Sequence, residues 1–277
     1  MDLPVRGAGV RALGLALPPA RMPARRGTRP LKRWRYVGYY SAELMLCAAD
    51  TRIGPVPQRW WAVAEPDGRL RGKTTIGRGG VDVSGSRVQV DAGDVQIELA
   101  LDESDGVEIA SPAGADGNYI WTRKQANVRA RGFVVVDGNR RELDGVAFID
   151  DSAGYHPRHT AWMWSAGNGR TTDGRAVAWN LVTGIHDSTQ DSERTLWVDG
   201  QPQELGPVAF ARDLSAVTFQ EGGGLDFTEW SAREEHMNLL LMRSDYRQPF
   251  GTFQGMLPGG IELAQGYGVM ERHDVRW

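Results

Sequence analysis

The sequence predicts an all-β protein made of two packed antiparallel β-barrels or strongly curved sheets. Short runs rich in β-branched and aromatic residues recur at a spacing of about ten residues. Turn-forming residues, among them 35 glycines, separate these runs. No segment keeps apolar residues at helical spacing for long enough to predict a helix. Because a single antiparallel sheet of about fifteen strands would curl or split, we expect two units that meet near residues 145–155.

The predicted strands are distributed along the chain after residue 35. Their ranges are 36–47, 59–64, 69–76, 95–101, 107–110, 119–126, 132–136, 160–165, 176–182, 195–198, 216–219, 225–233, 237–243, 250–256 and 261–271. Turn sequences such as Asp173-Gly174 and Asp199-Gly200 separate neighbouring runs. Many runs alternate apolar and polar residues, which is typical of antiparallel sheets with one face in water.

We expect three parts along the chain. Residues 1–30 form a basic arm, mobile or laid across the surface, residues 31–148 a first barrel and residues 149–277 a second. The first 35 residues hold nine Lys or Arg and one Asp, a net charge of +8, whereas the whole chain carries −3 and the remainder therefore −11. This pattern favours a solvated tail over an acidic domain, with weak contact to a membrane surface as the alternative.

Several classes of protein are disfavoured. No apolar run is long enough for a membrane-spanning helix, so we expect a soluble, cytoplasmic protein. Cys47 is the only cysteine, which excludes an internal disulfide. The motifs of dinucleotide-binding enzymes, P-loop enzymes, α/β serine hydrolases and zinc ribbons are absent from the sequence. No organic cofactor or nucleic-acid partner is implied, and the oligomeric state is not indicated.

Ionisable and aromatic side chains concentrate between residues 148 and 169. They are Asp150, Asp151, Tyr155, His156, Arg158, His159, Trp162 and Trp164. If residues 158–165 form a strand, Trp162 and Trp164 share one face with Arg158. Two such rings form a wall that lines an apolar ligand cavity and stabilises a passing cation. The alternative is that both rings fill a barrel core. Trp179 and Asn180 would extend the same wall.

Asp150 and Asp151 are the candidate acids. Neighbours in a strand point to opposite faces, so only one of them can face the interior. A carboxyl buried among aromatic rings has a raised pKa and can serve as a neutral proton donor. The alternative is that both aspartates cap the following turn or pair with Arg158.

The two histidines form an H-x-x-H sequence. On a strand, His156 and His159 face opposite ways and cannot bind one metal ion together, so no metal is predicted unless residues 155–158 form a loop. Each histidine could instead relay a proton, or simply form a hydrogen bond with a backbone group. Tyr155 could orient water or the acid.

The central motif resembles an uncharacterised family, the domain of unknown function 2804 family. The likeness rests on a set of short matches: Asp151-Ser152-Ala153-Gly154-Tyr155, Arg158, Thr160, Trp162, Trp164, Trp179-Asn180-Leu181, Gly184, Pro249-Phe250-Gly251, Gly266-Tyr267-Gly268 and Glu271. More distantly, the strand count and layout are similar to the calycin-like double-barrel proteins, which include carotenoid hydratases and fungal pericyclases. That resemblance implies two lipocalin-like halves around an apolar ligand, and acid catalysis on that ligand.

The sequence thus leads to one main functional hypothesis and two alternatives. The main one is a cofactor-independent enzyme of the lyase or isomerase type that acts by acid catalysis on a sizeable apolar molecule, such as an isoprenoid or a polyketide. Asp151 or Asp150 would donate the proton with help from His159 or His156. The first alternative is a non-catalytic lipid or terpenoid carrier on the same fold, and the weaker one is a metal-dependent hydrolase.

Overall fold

The computed structural model describes residues 3–77, 79–239 and 242–277, and about two thirds of the chain, 66%, lies in strands. A 3-10 helix covers Gly7–Leu13. The strands are β1 Val5–Arg6, β2 Arg25–Arg26, β3 Arg29–Pro30, β4 Lys32–Tyr40, β5 Met45–Ile53, β6 Val56–Ala64, β7 Leu70–Ile76, β8 Val81–Asp82, β9 Arg87–Asp91, β10 Val95–Asp102, β11 Val107–Pro112, β12 Tyr119–Val136, β13 Asn139–Gly154, β14 His159–Thr171, β15 Ala176–Thr183, β16 Thr195–Val198, β17 Gln201–Glu204, β18 Val208–Phe210, β19 Ala216–Phe219, β20 Gly224–Leu239, β21 Met242–Leu257 and β22 Ile261–Arg276.

Two large sheets account for the fold, as predicted. The first has the order β7-β6-β5-β4-β13-β12-β10-β9-β8, with β11 and β1 paired beside β12, and the second has the order β17-β16-β15-β14-β22-β21-β20-β19-β18. In each sheet the first long strand pairs with the last one, β4 with β13 and β14 with β22. The all-β prediction of two strongly curved antiparallel sheets is therefore confirmed.

Several strands are longer than the sequence predicts. The runs 119–126 and 132–136 belong to one strand, β12, which bends at a bulge between Gln125 and Val128. A bulge lets a strand turn sharply without ending, so turn-like residues within it do not mark its limits. The runs 225–233 and 250–256 likewise extend into the long strands β20 and β21. Residues 240 and 241 of the predicted strand 237–243 lie outside the described residues.

Three apolar clusters lie within and between the two large sheets. Each sheet curves around a core of its own, the first containing Val37 and Ile149 and the second containing Trp179 and Phe253. A third cluster, which includes Trp164, fills the contact between the two sheets. Because side chains alternate along a strand, each long strand contributes to its own core on one face and to the contact on the other.

The chain passes from one sheet to the other through residues 155–158, between the end of β13 and the start of β14. Residues 149–154 thus continue the first sheet. The predicted division into a first barrel over residues 31–148 and a second over residues 149–277 stays a prediction.

The N-terminal segment, residues 3–30, packs against the first sheet. Its apolar side chains Val10 and Leu17 are buried beside Tyr119 and Trp121 of β12. Arg6 reaches the second half of the chain, where it donates a hydrogen bond of 2.8 Å to Thr195 Oγ1. Within the described part of the chain, no helix has the length and apolar character needed to cross a bilayer.

Candidate functional site

A cavity lies between the two sheets, on the faces that carry the third apolar cluster. The cavity has a volume of about 110 Å³ and is partly open to solvent. Both sheets supply its walls, which contain five indole rings together with buried acids and bases. The lining residues are Trp34, Tyr36, Thr51, Ile53, Gln58, Trp60, Thr122, Lys124, Asp150, Trp162, Trp164, Val182, Ile185, His186, Glu193, Arg233, Glu235, Met237, Ser244, Tyr246, Glu271, His273 and Trp277.

The aromatic wall on the second sheet consists of Trp162 and Trp164, as the strand periodicity predicts. Trp164 is buried, and its ring packs edge-on against Tyr36 of the first sheet at 5.6 Å between centroids. Its indole Nε1 donates a hydrogen bond of 2.8 Å to Asn180 Oδ1, which fixes the ring. Trp162 packs against His273 at 4.4 Å. Rings held in this way present an apolar surface that also favours positive charge.

A buried carboxyl, that of Glu271, stands beside this wall. Trp162 Nε1 donates to Glu271 Oε1 at 2.8 Å. The hydroxyl of Tyr246 and the amide of Gln248 both donate to the other oxygen, Oε2, at 2.8 and 3.0 Å. Since Oε1 accepts one hydrogen bond and Oε2 two, Oε1 has the greater freedom to carry a proton.

The surroundings of Glu271 favour its neutral form. Burial raises the pKa of Glu271 to about 7, although the hydrogen bonds from Tyr246 and Trp162 act in the opposite direction. Asp150 raises this pKa further and Arg233 lowers it. An acid that is half protonated near neutral pH is suited to general acid–base catalysis.

A second group of charged residues lines the cavity, with Lys124 and Asp150 on the first sheet and Glu193 on the loop between β15 and β16. Lys124 Nζ lies 2.5 Å from Asp150 Oδ1 and 3.3 Å from Glu193 Oε1, and all three side chains are buried or nearly so. Burial lowers the pKa of Lys124, but the two carboxylates outweigh it and leave that pKa raised. Burial raises the pKa of Asp150, against the opposing charge of Lys124. This cluster is therefore a compact ion pair rather than an isolated acid.

The loop between β15 and β16 carries Glu193 and His186 to the cavity. It begins at Gly184, whose φ of 92° suits glycine, and a Cβ there would lie 2.4 Å from the carbonyl oxygen of Ala161. The backbone N–H of Glu193 donates to the carbonyl of His186 at 3.1 Å, so the loop closes between these two residues. Burial and the charge of Lys124 lower the pKa of His186 to about 3, which keeps its ring neutral.

Of the residues that the sequence singles out, Asp150, Trp162 and Trp164 line the cavity. Asn180 lies behind the wall, where it accepts from Trp164 and donates to the Glu193 carbonyl at 2.8 Å. Trp179 belongs to the core of the second sheet and donates to Ser165 Oγ at 3.1 Å. The structure therefore brings together three of the predicted side chains and a fourth that supports them.

Asp151 lies on the opposite face of β13. Its carboxylate accepts hydrogen bonds from Arg35 at 2.9 and 3.0 Å and from Arg123 at 2.7 and 3.1 Å. It lines a separate groove, together with Arg33 and Arg52 of the same sheet. Asp151 thus does not face the ligand cavity, and Arg158 is not its partner.

The remaining predicted residues lie around the crossing between the sheets. Tyr155 is buried under the N-terminal segment, and its hydroxyl donates to the Pro23 carbonyl at 2.9 Å. His156 is buried 4.9 Å from the Trp34 ring, and burial holds its pKa well below the usual range. His159 is exposed beside Asp274 at 2.8 Å, and Arg158 is exposed as well. Among the residues that the structure describes, no group of three His, Cys, Asp or Glu side chains is placed to hold a metal ion.

Sequence reasoning did not assign a role to Glu271, Tyr246 or Lys124. Glu271 appeared only as a match to the family pattern, although an acid directly after the apolar residues Val269 and Met270 of a strand was a usable signal. Its partner across the sheet is Trp164, through the pairing of β14 with β22. That pairing joins residues more than a hundred positions apart and has no local sequence mark.

The family model described as a domain of unknown function (DUF2804) matches residues 69–277. The chain belongs to this family. The matched part covers β7 to β22, hence the whole second sheet and most of the cavity. The DUF2804 resemblance read from the central motif is therefore confirmed. No curated protein matches the chain.

Solved structures share the fold of this DUF2804 member at low sequence identity. One is a Nitrosomonas europaea protein provisionally named AttH, with a TM-score of 0.58, 14% identity, and coverage of 93% of this chain and 99% of that one. Another is kievitone hydratase from Nectria haematococca, with a TM-score of 0.57, 12% identity, and coverage of 87% and 88%. CghA aligns over 95% of each chain at 10% identity with a TM-score of 0.43. The first two similarities confirm the double lipocalin-like fold.

Proposed function

We propose that the protein binds a sizeable apolar molecule between its two sheets and transforms it by acid catalysis, with Glu271 as the proton donor. The observation that carries this proposal is a carboxyl whose pKa is about 7, buried beside two tryptophan rings on the wall of an open cavity. Kievitone hydratase, a protein of the same fold, is a hydratase by name. A common fold is only an analogy for the reaction, so the assignment depends on the site.

The proposed step is the addition of a proton to a carbon–carbon double bond. The π electrons form a C–H bond with the proton of Glu271, the O–H bond breaks, and the electron pair stays on the carboxylate. Trp162 and Trp164 stabilise the resulting carbocation through their ring faces. Water, or a second double bond of the same molecule, then attacks the cation. In hydration the attacking water loses a proton, and in cyclisation the new carbocation loses a proton from a neighbouring carbon to form a double bond. In either case this proton returns to Glu271, which regenerates the acid.

Asp150 has a supporting part in this proposal. It faces the cavity as the sequence analysis expects one aspartate to do, but Lys124 holds it as an ion pair at 2.5 Å. The positive charge of Lys124 favours the ionised form of Asp150 and opposes the effect of burial, so this carboxyl is less suited to donate a proton than one without a cationic partner. Its charge also contributes to the raised pKa of Glu271. We therefore assign the acid to Glu271, and the catalytic roles of Asp151, Tyr155, His156 and His159 stay predictions.

The second candidate function is a carrier that binds the same molecule without changing it. The three hydrogen bonds to the Glu271 carboxyl favour this alternative, because they would also suit an acid that only orders the cavity wall. The two functions differ in whether the bound molecule changes when the acid is removed.

The test compares small molecules that co-purify with the wild type and with the Glu271→Gln variant, using mass spectrometry after chromatography. We expect the variant to retain a substrate that differs from the wild-type ligand by the mass of one water, or that is its isomer with a different retention time. The control is Glu262→Gln, an exposed glutamate on the same strand. The same molecule in all three proteins would support the carrier, and no apolar molecule in any would contradict both functions.

A further inference from the structure

Five side chains on the cavity wall bury polar atoms without a hydrogen-bond partner among the described residues. These atoms are Thr51 Oγ1, Trp60 Nε1, Thr122 Oγ1, both ring nitrogens of His186 and Glu193 Oε2. Buried polar atoms are paired in the large majority of cases, so several unpaired ones around one cavity indicate a partner that enters it. The acid end of the same cavity is different, because both oxygens of Glu271 accept hydrogen bonds there.

Thr122, His186 and Glu193 belong to one end of the cavity. Thr122 precedes Lys124 by two residues on β12, so both side chains point to the same face. Lys124 contacts Glu193 at 3.3 Å, and Glu193 is tied to His186 by a backbone hydrogen bond of 3.1 Å. The charge of Lys124 also acts on the ring of His186, and the Thr122 hydroxyl, the His186 imidazole and the Glu193 carboxylate all line the cavity.

This group offers both donors and acceptors. The neutral ring of His186 presents one N–H donor and one nitrogen acceptor, and the Thr122 hydroxyl serves in either role. Glu193 uses Oε1 for Lys124 and keeps Oε2 as an acceptor. The loop also holds His186 at a φ of 53°, a left-handed conformation that a residue with a side chain adopts infrequently. Strain of this kind is common where a side chain is fixed for binding.

The charge of the region argues against an anionic group. The positive charge of Lys124 is opposed by Asp150 at 2.5 Å and by Glu193 at 3.3 Å, so a further anion would meet a net negative surface. A hydroxyl fits the set of atoms better. It can donate to Glu193 Oε2 while it accepts from the His186 ring or from Thr122.

We infer that the ligand carries an uncharged hydroxyl group, which docks on Thr122, His186 and Glu193 while the apolar skeleton runs along the tryptophan wall to Glu271. The substrate class is then a hydroxylated apolar molecule, such as a phenol or an alcohol, rather than a pure hydrocarbon. This inference rests on the proposed function only in that it needs the same cavity to bind a ligand.

The test uses two probes of similar size, 4-phenylphenol and 4-methylbiphenyl, whose binding is measured by equilibrium dialysis. We expect the wild type to bind the phenol about tenfold more tightly, since a hydroxyl that pairs with otherwise unpaired buried atoms contributes about that factor. The variants Thr122→Val and His186→Phe should each reduce this preference to roughly threefold or less and leave the affinity for 4-methylbiphenyl within about twofold. The control Thr218→Val changes an exposed threonine on β19 and should keep the full preference.

The possible failures are distinguishable. Equal affinity for the two probes in the wild type would overturn the hydroxyl subsite and leave the proposed acid chemistry untouched. A preference that survives both cavity variants would overturn the placement of the hydroxyl at Thr122 and His186. If neither probe bound, the ligand cavity itself would be contradicted, together with this inference. Circular dichroism of each variant shows whether it is folded, and either variant alone is sufficient to test the subsite.

Discussion

The indole of Trp162 donates a hydrogen bond of 2.8 Å to the carboxyl of Glu271. This contact joins the aromatic wall to the proposed acid. It runs diagonally between β14 and β22, where Trp162 lies opposite His273 and Trp164 lies opposite Glu271. A ligand that packs against the Trp162 ring therefore lies next to the oxygen of Glu271 that we expect to carry the proton.

Replacing Trp162 with Phe should raise the pKa of Glu271 further above 7. The hydrogen bond from the indole favours the ionised carboxylate, and phenylalanine removes it while it keeps an aromatic ring in place. The pKa can be followed by ¹³C NMR of protein with labelled glutamate carboxyl groups. The control is Trp230→Phe, since Trp230 packs near Tyr267 instead. An unchanged or lower pKa in Trp162→Phe would contradict the role of this hydrogen bond.

The contribution of Glu271 to the stability of the fold should fall as the pH rises from about 4.5 to about 7. Burial raises the pKa of Glu271 from 4.5 to about 7, so the folded protein keeps a proton in this range that the unfolded chain releases. The stabilisation is complete below about pH 4.5 and is lost as the pH passes 7, with a size of order 3 kcal/mol. Urea unfolding of the wild type and of Glu271→Gln measures it.

The comparison with the variant separates Glu271 from the other titrating groups. Histidines and aspartates change the stability of both proteins in the same way, so the difference between the two curves belongs to position 271. We expect this difference to change through the range from pH 4.5 to 7 and to be constant outside it. A constant difference throughout would show that Glu271 has an ordinary pKa in the folded protein.

The pattern along the sequence predicts the fold and the aromatic wall of the cavity on the second sheet. Alternation on β14 placed Trp162 and Trp164 on a common face, and the same rule separated Asp150 from Asp151. Which aspartate faces the cavity depends on the bulge in β12 and on the pairing of β13 with β4, which local patterns do not determine. Glu271 reaches the site through long-range strand pairing for the same reason.

Replacing Asp151 with Asn should destabilise the fold by about 2 kcal/mol and leave ligand binding unchanged. Asp151 as a residue is 9% exposed, and its carboxylate pairs with both Arg35 and Arg123. The variant therefore leaves two guanidinium groups short of a partner. Thermal unfolding and dialysis of 4-phenylphenol check the two parts. The control Asp144→Asn removes an exposed carboxylate next to Arg129. Loss of turnover with full stability would instead support the catalytic role that the sequence predicts for Asp151.

Replacing Lys124 with Met should have a larger effect on stability, a loss of about 3–5 kcal/mol, because it leaves Asp150 and Glu193 buried without their cation. Lys73→Met, a change at an exposed lysine on β7, should cost far less. The double variant Lys124→Met with Asp150→Asn removes one of the stranded carboxylates and should recover part of the loss. Urea unfolding of the four proteins of this double-mutant cycle, with Asp150→Asn as the fourth, gives the coupling between the two residues. If the losses were simply additive, the ion pair between Lys124 and Asp150 would not stabilise the fold, and Asp150 would again be a candidate for the free acid.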